Sequence, residues 1–189
     1  MRHIPKPEPG EYPAYASMYI DLVPRDGDLL GHLARARSAT AELILALAET
    51  TLLHRYAPGK WTIKEILVHV VDDERIYAYR ALRFARGDLT PLPGFEQEDF
   101  AAASHANDRP VTDILAEHAA VREATIALFR GLPEAALTRS GMADGKRFTV
   151  RALGYHMAGH EAHHLGVVEE RYLGLPTRTD LFRPRAGER

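Results

Sequence analysis

The sequence predicts an all-α protein, a four-helix bundle preceded by an extended N-terminal arm. Three observations carry this. Four stretches place apolar residues three and four positions apart, the period of a helix with one buried face. Capping residues, glycine and proline punctuate those stretches where helices start and stop. Residues 88–108, between the second and third stretches, form a connection too long for a tight hairpin. In a bundle such a connection marks a crossover, so the second and third helices are expected to run parallel.

The composition agrees with one soluble domain. The chain has 189 residues, 46% hydrophobic and 26% charged, with a formal net charge of -2. Lys and Arg are scattered, which argues against a nucleic-acid surface. No apolar run reaches the roughly 18 residues of a membrane helix, and the first residues have no apolar signal core, so a cytoplasmic protein is expected. There is no cysteine, which removes disulfides, thiolate ligands and a thiol nucleophile of the chain's own.

Residues 1–26 contain Pro5, Pro7, Pro9, Pro13 and Pro24 and read as an extended arm. Tyr12, Tyr15 and Tyr19 indicate that it packs along the bundle, which is expected over 27–176. The first long helix is predicted over 28–53, with Leu29, Leu33, Ala36, Thr40, Leu43 and Leu47 as its stripe and His32 off it, in solvent. Ala57-Pro58-Gly59-Lys60 breaks the chain. Thr62-Ile63-Lys64-Glu65 then spells a capping box, in which the Thr hydroxyl takes a backbone N–H and the Glu reaches back. The second helix buries Ile63, Ile66, Leu67, Val70, Tyr77, Ala81 and Phe84 and ends at Gly87. His105, in the long connection, is expected in solvent.

The third helix, predicted over 111–130, follows Pro110, which suits its first turn. Ile114, His118, Val121, Leu128 and Leu132 mark its face. Asp144-Gly145 signals a short hairpin within 138–148. Thr149 caps the fourth helix, which ends at Leu173-Gly174-Leu175-Pro176, and residues 177–189 read as a loosely held tail.

The fourth helix carries four of the ten histidines within Tyr155-His156-Met157-Ala158-Gly159-His160-Glu161-Ala162-His163-His164-Leu165. Val150, Leu153, Met157, His160, His164 and Val167 share one face. His160 and His164, one turn apart in a core stripe, can reach one metal ion, and two buried imidazoles without partners would be costly. His156 is about 12 Å from His164 along the axis, too far to share the ion, and His163 falls on the flank. The letters also spell H-E-x-x-H, but Val167 and Glu170 stand where the longer zinc-protease motif needs Gly and His, so a third ligand is sought upstream. Spacing leaves two alternatives. His69 lies on the flank of the second helix's stripe, with Asp73 one turn on to orient its ring. His118 has apolar neighbours and reads as core. Glu161, Asp73 and Tyr155 are candidate helpers, each with a structural alternative as solvated charge, ring partner or filler. Trp61, the sole tryptophan, reads as core.

Several stretches together resemble the DinB/YfiT-like superfamily. They are Tyr19-Ile20-x-Leu22-Val23, Ala57-Pro58-Gly59-Lys60-Trp61-Thr62-Ile63-Lys64-Glu65 with His69, Asp73-Glu74-Arg75, the run from Tyr79 to Asp88, and Gly159-His160-Glu161-x-His163-His164. The resemblance implies an up-down-down-up bundle and a divalent metal held by His69, His160 and His164. It also implies a homodimer acting on a small molecule, either as a metal-dependent hydrolase or as a transferase of low-molecular-weight thiols. A non-enzymatic metal-binding or interaction protein is the alternative. All-imidazole ligation suits Zn2+ or Ni2+, with Fe2+ or Mn2+ also compatible.

Overall fold

The computed structural model describes residues 2–177 and 181–182. The elements run in chain order: α1 (Ser17–Ile20), α2 (Leu29–Leu45), α3 (Glu49–Leu52), α4 (Ile63–Ala85), α5 (Gln97–Ala103), α6 (Val111–Gly131), β1 (Ser140–Ala143), β2 (Lys146–Thr149) and α7 (Val150–Val167). The bundle is α2, α4, α6 and α7. Cross-contacts fix the helix directions. Lys64 at the start of α4 donates to the Arg109 carbonyl just before α6, and Arg75 pairs with Glu117, so these two run parallel. Thr40 of α2 bonds Glu161 of α7, and Leu29 lies against Gly154, so those two also run together. His69, early in α4, meets His160, late in α7, so the two pairs oppose one another. The order is up, down, down, up, as the long connection implied.

Local chemistry sets the helix starts. Asp28 accepts from the Gly31 N–H, Thr149 from that of Ala152, and Thr62 with Glu65 forms the complete capping box. The hairpin β1–β2 pairs Gly141 with Phe148, and its turn puts Asp144 at φ 52° and Gly145 at φ 65°, the pair of positive values that Asp-Gly supplies.

Several expectations are corrected. The first bundle helix stops at Leu45, not near residue 53. Ala48 turns extended (φ -70°, ψ 151°), and the short α3 brings Leu52 into the cluster with Ile44, Ile63 and Ile66. The arm is not wholly extended, because Ala14–Ala16 form a 3-10 turn leading into α1. The connection over 88–108 contains α5 and is tied to the hairpin, the Leu92 N–H donating to the Met142 carbonyl. Arg122, Thr125, Ile126 and Phe129 fill the buried face of α6, while Val121 and Leu128 are half-buried.

The arm explains why α7 is buried on nearly every side. Ile4, Ala16, Ile20 and Val23 enter the same core as Leu29, Leu153 and Phe129. Tyr155 fills the bundle and donates to the Ile4 carbonyl at 2.8 Å, and Glu11 receives Thr149 and Arg151. At Gly159 the contact is so close that a Cβ would stand 2.1 Å from the Tyr19 carbonyl oxygen. A four-residue helix is thereby seated on the histidine-bearing one. Arm and tail also cover His32. It is fully buried rather than solvated, at 2.8 Å from Asp26 and edge-on to Phe182. Residues 178–180 and 183–189 of the predicted tail lie outside the described residues.

Candidate metal centre

Near the start of α4 and the end of α7, where the two antiparallel helices cross, three imidazoles face one another. The Nε2 of His160 lies 3.1 Å from Nε2 of His69 and 3.1 Å from Nε2 of His164. All three ligand atoms fall within 4.8 Å of each other. Nitrogens bound at about 2.1 Å to one ion stand roughly 3.0–3.4 Å apart, so the two short separations suit a shared cation. Among the described residues no carboxylate belongs to this group. Burial drives the pKa of His69 down to about 4 and those of His160 and His164 well below the ordinary value; for His160, the neighbouring histidines add to the effect. At neutral pH the rings are therefore uncharged, the form that ligates. The donor set fits a divalent ion, and the cluster is capable of coordinating one.

The chain's other candidates divide around this cluster. His156 is not part of it; it stacks on Tyr77 with ring centres 4.1 Å apart. His163 is half-buried on the flank and His105 is exposed, as expected. Asp73 does not serve His69. Its Oδ2 lies 3.4 Å from Nδ1 of His160 and 3.8 Å from Nε2 of His156, and the carboxylate is buried. One turn along α4 from His69, the side chain has swung toward α7. That oxygen accepts no hydrogen bond from the described residues; a proton on His160 Nδ1 would have it as a neighbour and would leave Nε2 with its lone pair toward the other two rings. Burial raises the Asp73 pKa to about 8.

Glu161 is neither a solvated charge nor aimed at the cluster. It is buried, takes the Thr40 hydroxyl at 2.7 Å, and stands 2.7 Å from Arg122 and 3.2 Å from His118. Burial works to raise its pKa, but Arg122 and His118 prevail and hold it at about 2. The H-E-x-x-H letters thus place their glutamate in an ion pair of the core rather than at the metal face. Arg122 also forks onto Glu74 at 2.8 and 2.7 Å. His118, read as core, belongs to this network.

Tyr19 was visible as an arm aromatic and in a family-like stretch, but not as a neighbour of the histidines. It stands edge-on to His156, His160 and His163, with centroids 4.9, 5.2 and 5.3 Å away. Trp61 is only partly a core residue, packing on the edge of the cluster of Ile44, Ile63 and Ile66. Half-buried, it lies 4.8 Å from the His69 ring and donates to Glu98 at 3.0 Å. With Tyr56, Tyr172, Lys60, Gln97 and Val167 it lines an open cleft that reaches His164.

Fold and site together define an α-helical bundle with a buried, all-imidazole metal-binding cluster beside an open cleft. The chain belongs to the DinB superfamily, whose family model matches residues 32–168. A candidate metal-dependent hydrolase of Oceanobacillus iheyensis is 28% identical over 130 residues, 68% of this chain and 74% of the relative. The structure of YfiT from Bacillus subtilis, described as a probable metal-dependent hydrolase with an unusual four-helix bundle topology, aligns with a TM-score of 0.61. That match covers 91% of this chain and 95% of YfiT at 16% identity, and it shows the fold.

Proposed function

We propose that His69, His160 and His164 hold one divalent ion and that the protein is a metal-dependent hydrolase of a small molecule. The observation that carries this reading is the convergence of three neutral imidazoles, one of which, His164, also lines the cleft. The ion, when bound, supplies Lewis acidity toward a carbonyl and lowers the pKa of water. The chain's own residues set the rest. Asp73 orients His160. The Arg122–Glu161 pair anchors α7 to its neighbours. Trp61 and Tyr172 shape the approach and limit the water that reaches the histidines. No helix among the described residues is long and apolar enough to cross a membrane, and a homodimer is proposed on the family resemblance, to be tested by solution mass.

The test is turnover of a panel of small esters and amides by metal-loaded protein in oxygen-labelled water, with and without a low-molecular-weight thiol. Hydrolysis predicts labelled acid product without thiol, lost in His160→Ala. Product that forms only with thiol and keeps its sulfur would replace this reading with thiol transfer. An inert protein under both conditions would leave a binding role.

A further inference from the structure

The cleft beside His164 has a composition that names a ligand class. Three aromatic rings shape it. Tyr172 stands edge-on to Tyr56 at 5.0 Å and donates its hydroxyl to the Trp61 carbonyl, which ties the π-helical turn Val168–Tyr172 after α7 to the turn before α4. Ile66 and Val167 complete an apolar floor next to His164. Gly59, at φ 74° with open space where a Cβ would stand, bends the rim without narrowing it. Two opposite charges line the rim, and they differ in commitment. The Glu98 carboxylate accepts the indole N–H of Trp61. Among the described residues no carboxylate lies within ion-pairing distance of Lys60, whose side chain is exposed, and the nearby Arg55 is paired with Glu65.

Building on the metal reading, we infer that this cleft binds a small carboxylate-bearing molecule with a planar apolar body. The carboxylate pairs with Lys60, the body lies against Trp61 and Tyr172, and the bond to be cut is presented toward His164. Aromatic walls favour a flat apolar body, because ring faces and edges give contact area with little side-chain entropy to lose. The uncommitted ammonium selects an anion over a neutral analogue. The metal cluster gives the occupant a reactive end, and Lys60 a tethered one.

Trp61 is the sole tryptophan, so its fluorescence reports occupancy directly. The probes are hippurate, an aromatic amide with a carboxylate, and its neutral analogue hippuramide, titrated into metal-loaded protein. Hippurate should change the emission saturably and bind about fivefold more tightly than hippuramide, the upper range for a solvent-exposed ion pair. Lys60→Gln, on an exposed turn, should erase that preference while leaving hippuramide affinity and metal content unchanged. The preference should persist in the parent protein stripped of metal by a chelator, which separates failure of the cleft from failure of the metal reading. Equal affinity for the two probes overturns the inference. So does an unsaturable response, or a preference that survives Lys60→Gln, which would place the carboxylate at the histidines.

Discussion

Replacing Arg122 with Met removes the guanidinium at the centre of the bundle's ion network. The side chain is fully buried, and its partners Glu74 and Glu161 are 2% exposed. It makes two bonds to Glu74, stands 2.7 Å from Glu161, and donates to the Leu33 carbonyl at 2.5 Å. The guanidinium therefore links α2, α4, α6 and α7. Met fills much the same volume, so cavity formation is minor. The cost comes from two carboxylates left in the core without their cation, and breaking one buried pair in this way costs about 3–5 kcal/mol. Against a total of roughly 5–15 kcal/mol that is a large share. For a chain of this size it should lower Tm by about 6–20 °C. The assay is thermal and urea unfolding followed by circular dichroism, with both proteins metal-free. Arg122→Lys should fall between, since it keeps the charge and loses the fork. A loss below about 1 kcal/mol for Arg122→Met, a value typical of surface pairs, would refute the claim that this network is desolvated and holds the bundle together.

Three further outcomes are expected. Burial pushes the Glu11 carboxyl up, but bonds from Arg151 and Thr149 outweigh it and hold the pKa at about 2 against an ordinary 4.5. Its contribution is therefore complete above pH 4.5 and disappears as pH falls toward 2. Glu11→Gln should flatten the acid limb of a stability–pH curve in that window, and an unchanged limb would contradict the assignment. Asp73→Asn should weaken metal binding about 10–100-fold, the usual effect of losing a carboxylate behind a ligand histidine, as read by competition with a chromophoric chelator; unaltered affinity would mean that Asp73 does not orient His160. Gly159→Ala should drive α1 off α7, because the new Cβ meets the Tyr19 carbonyl at 2.1 Å. Limited proteolysis within residues 1–26 should then quicken, and a protection pattern like that of the parent chain would show that the contact can relax.

The bundle was legible because its determinants are local. Thr62 and Glu65, Thr149 and Asp144-Gly145 act through neighbours in sequence, and the structure uses each as read. The break after Leu45 was not legible. No Gly or Pro marks it, and the turn is held by Leu52 reaching the cluster around Ile44 and Ile63. His32 was misplaced because its cover comes from Asp26 in the arm and Phe182 in the tail, not from the helix that carries it. For the cluster, spacing alone could find the His160–His164 pair, whereas bringing in His69 requires the crossing of α4 and α7, a tertiary fact that only the family resemblance anticipated. Arg122, Glu74 and Glu161 were invisible as a unit for the same reason, since each letter alone reads as an ordinary helix charge. Asp73 was seen, but one helix away from the ring it faces.

The central claim is that three imidazoles form one metal site, and the metal content of the purified protein tests it most directly. Protein prepared without a His-tag and exchanged into metal-free buffer should carry about one divalent ion per chain by elemental analysis, with Zn2+ or Ni2+ the expected metals. His69→Ala and the double variant His160→Ala/His164→Ala should each lose it while keeping the helical spectrum of the parent. Full metal retention in the double variant, or in His69→Ala, would contradict the assignment.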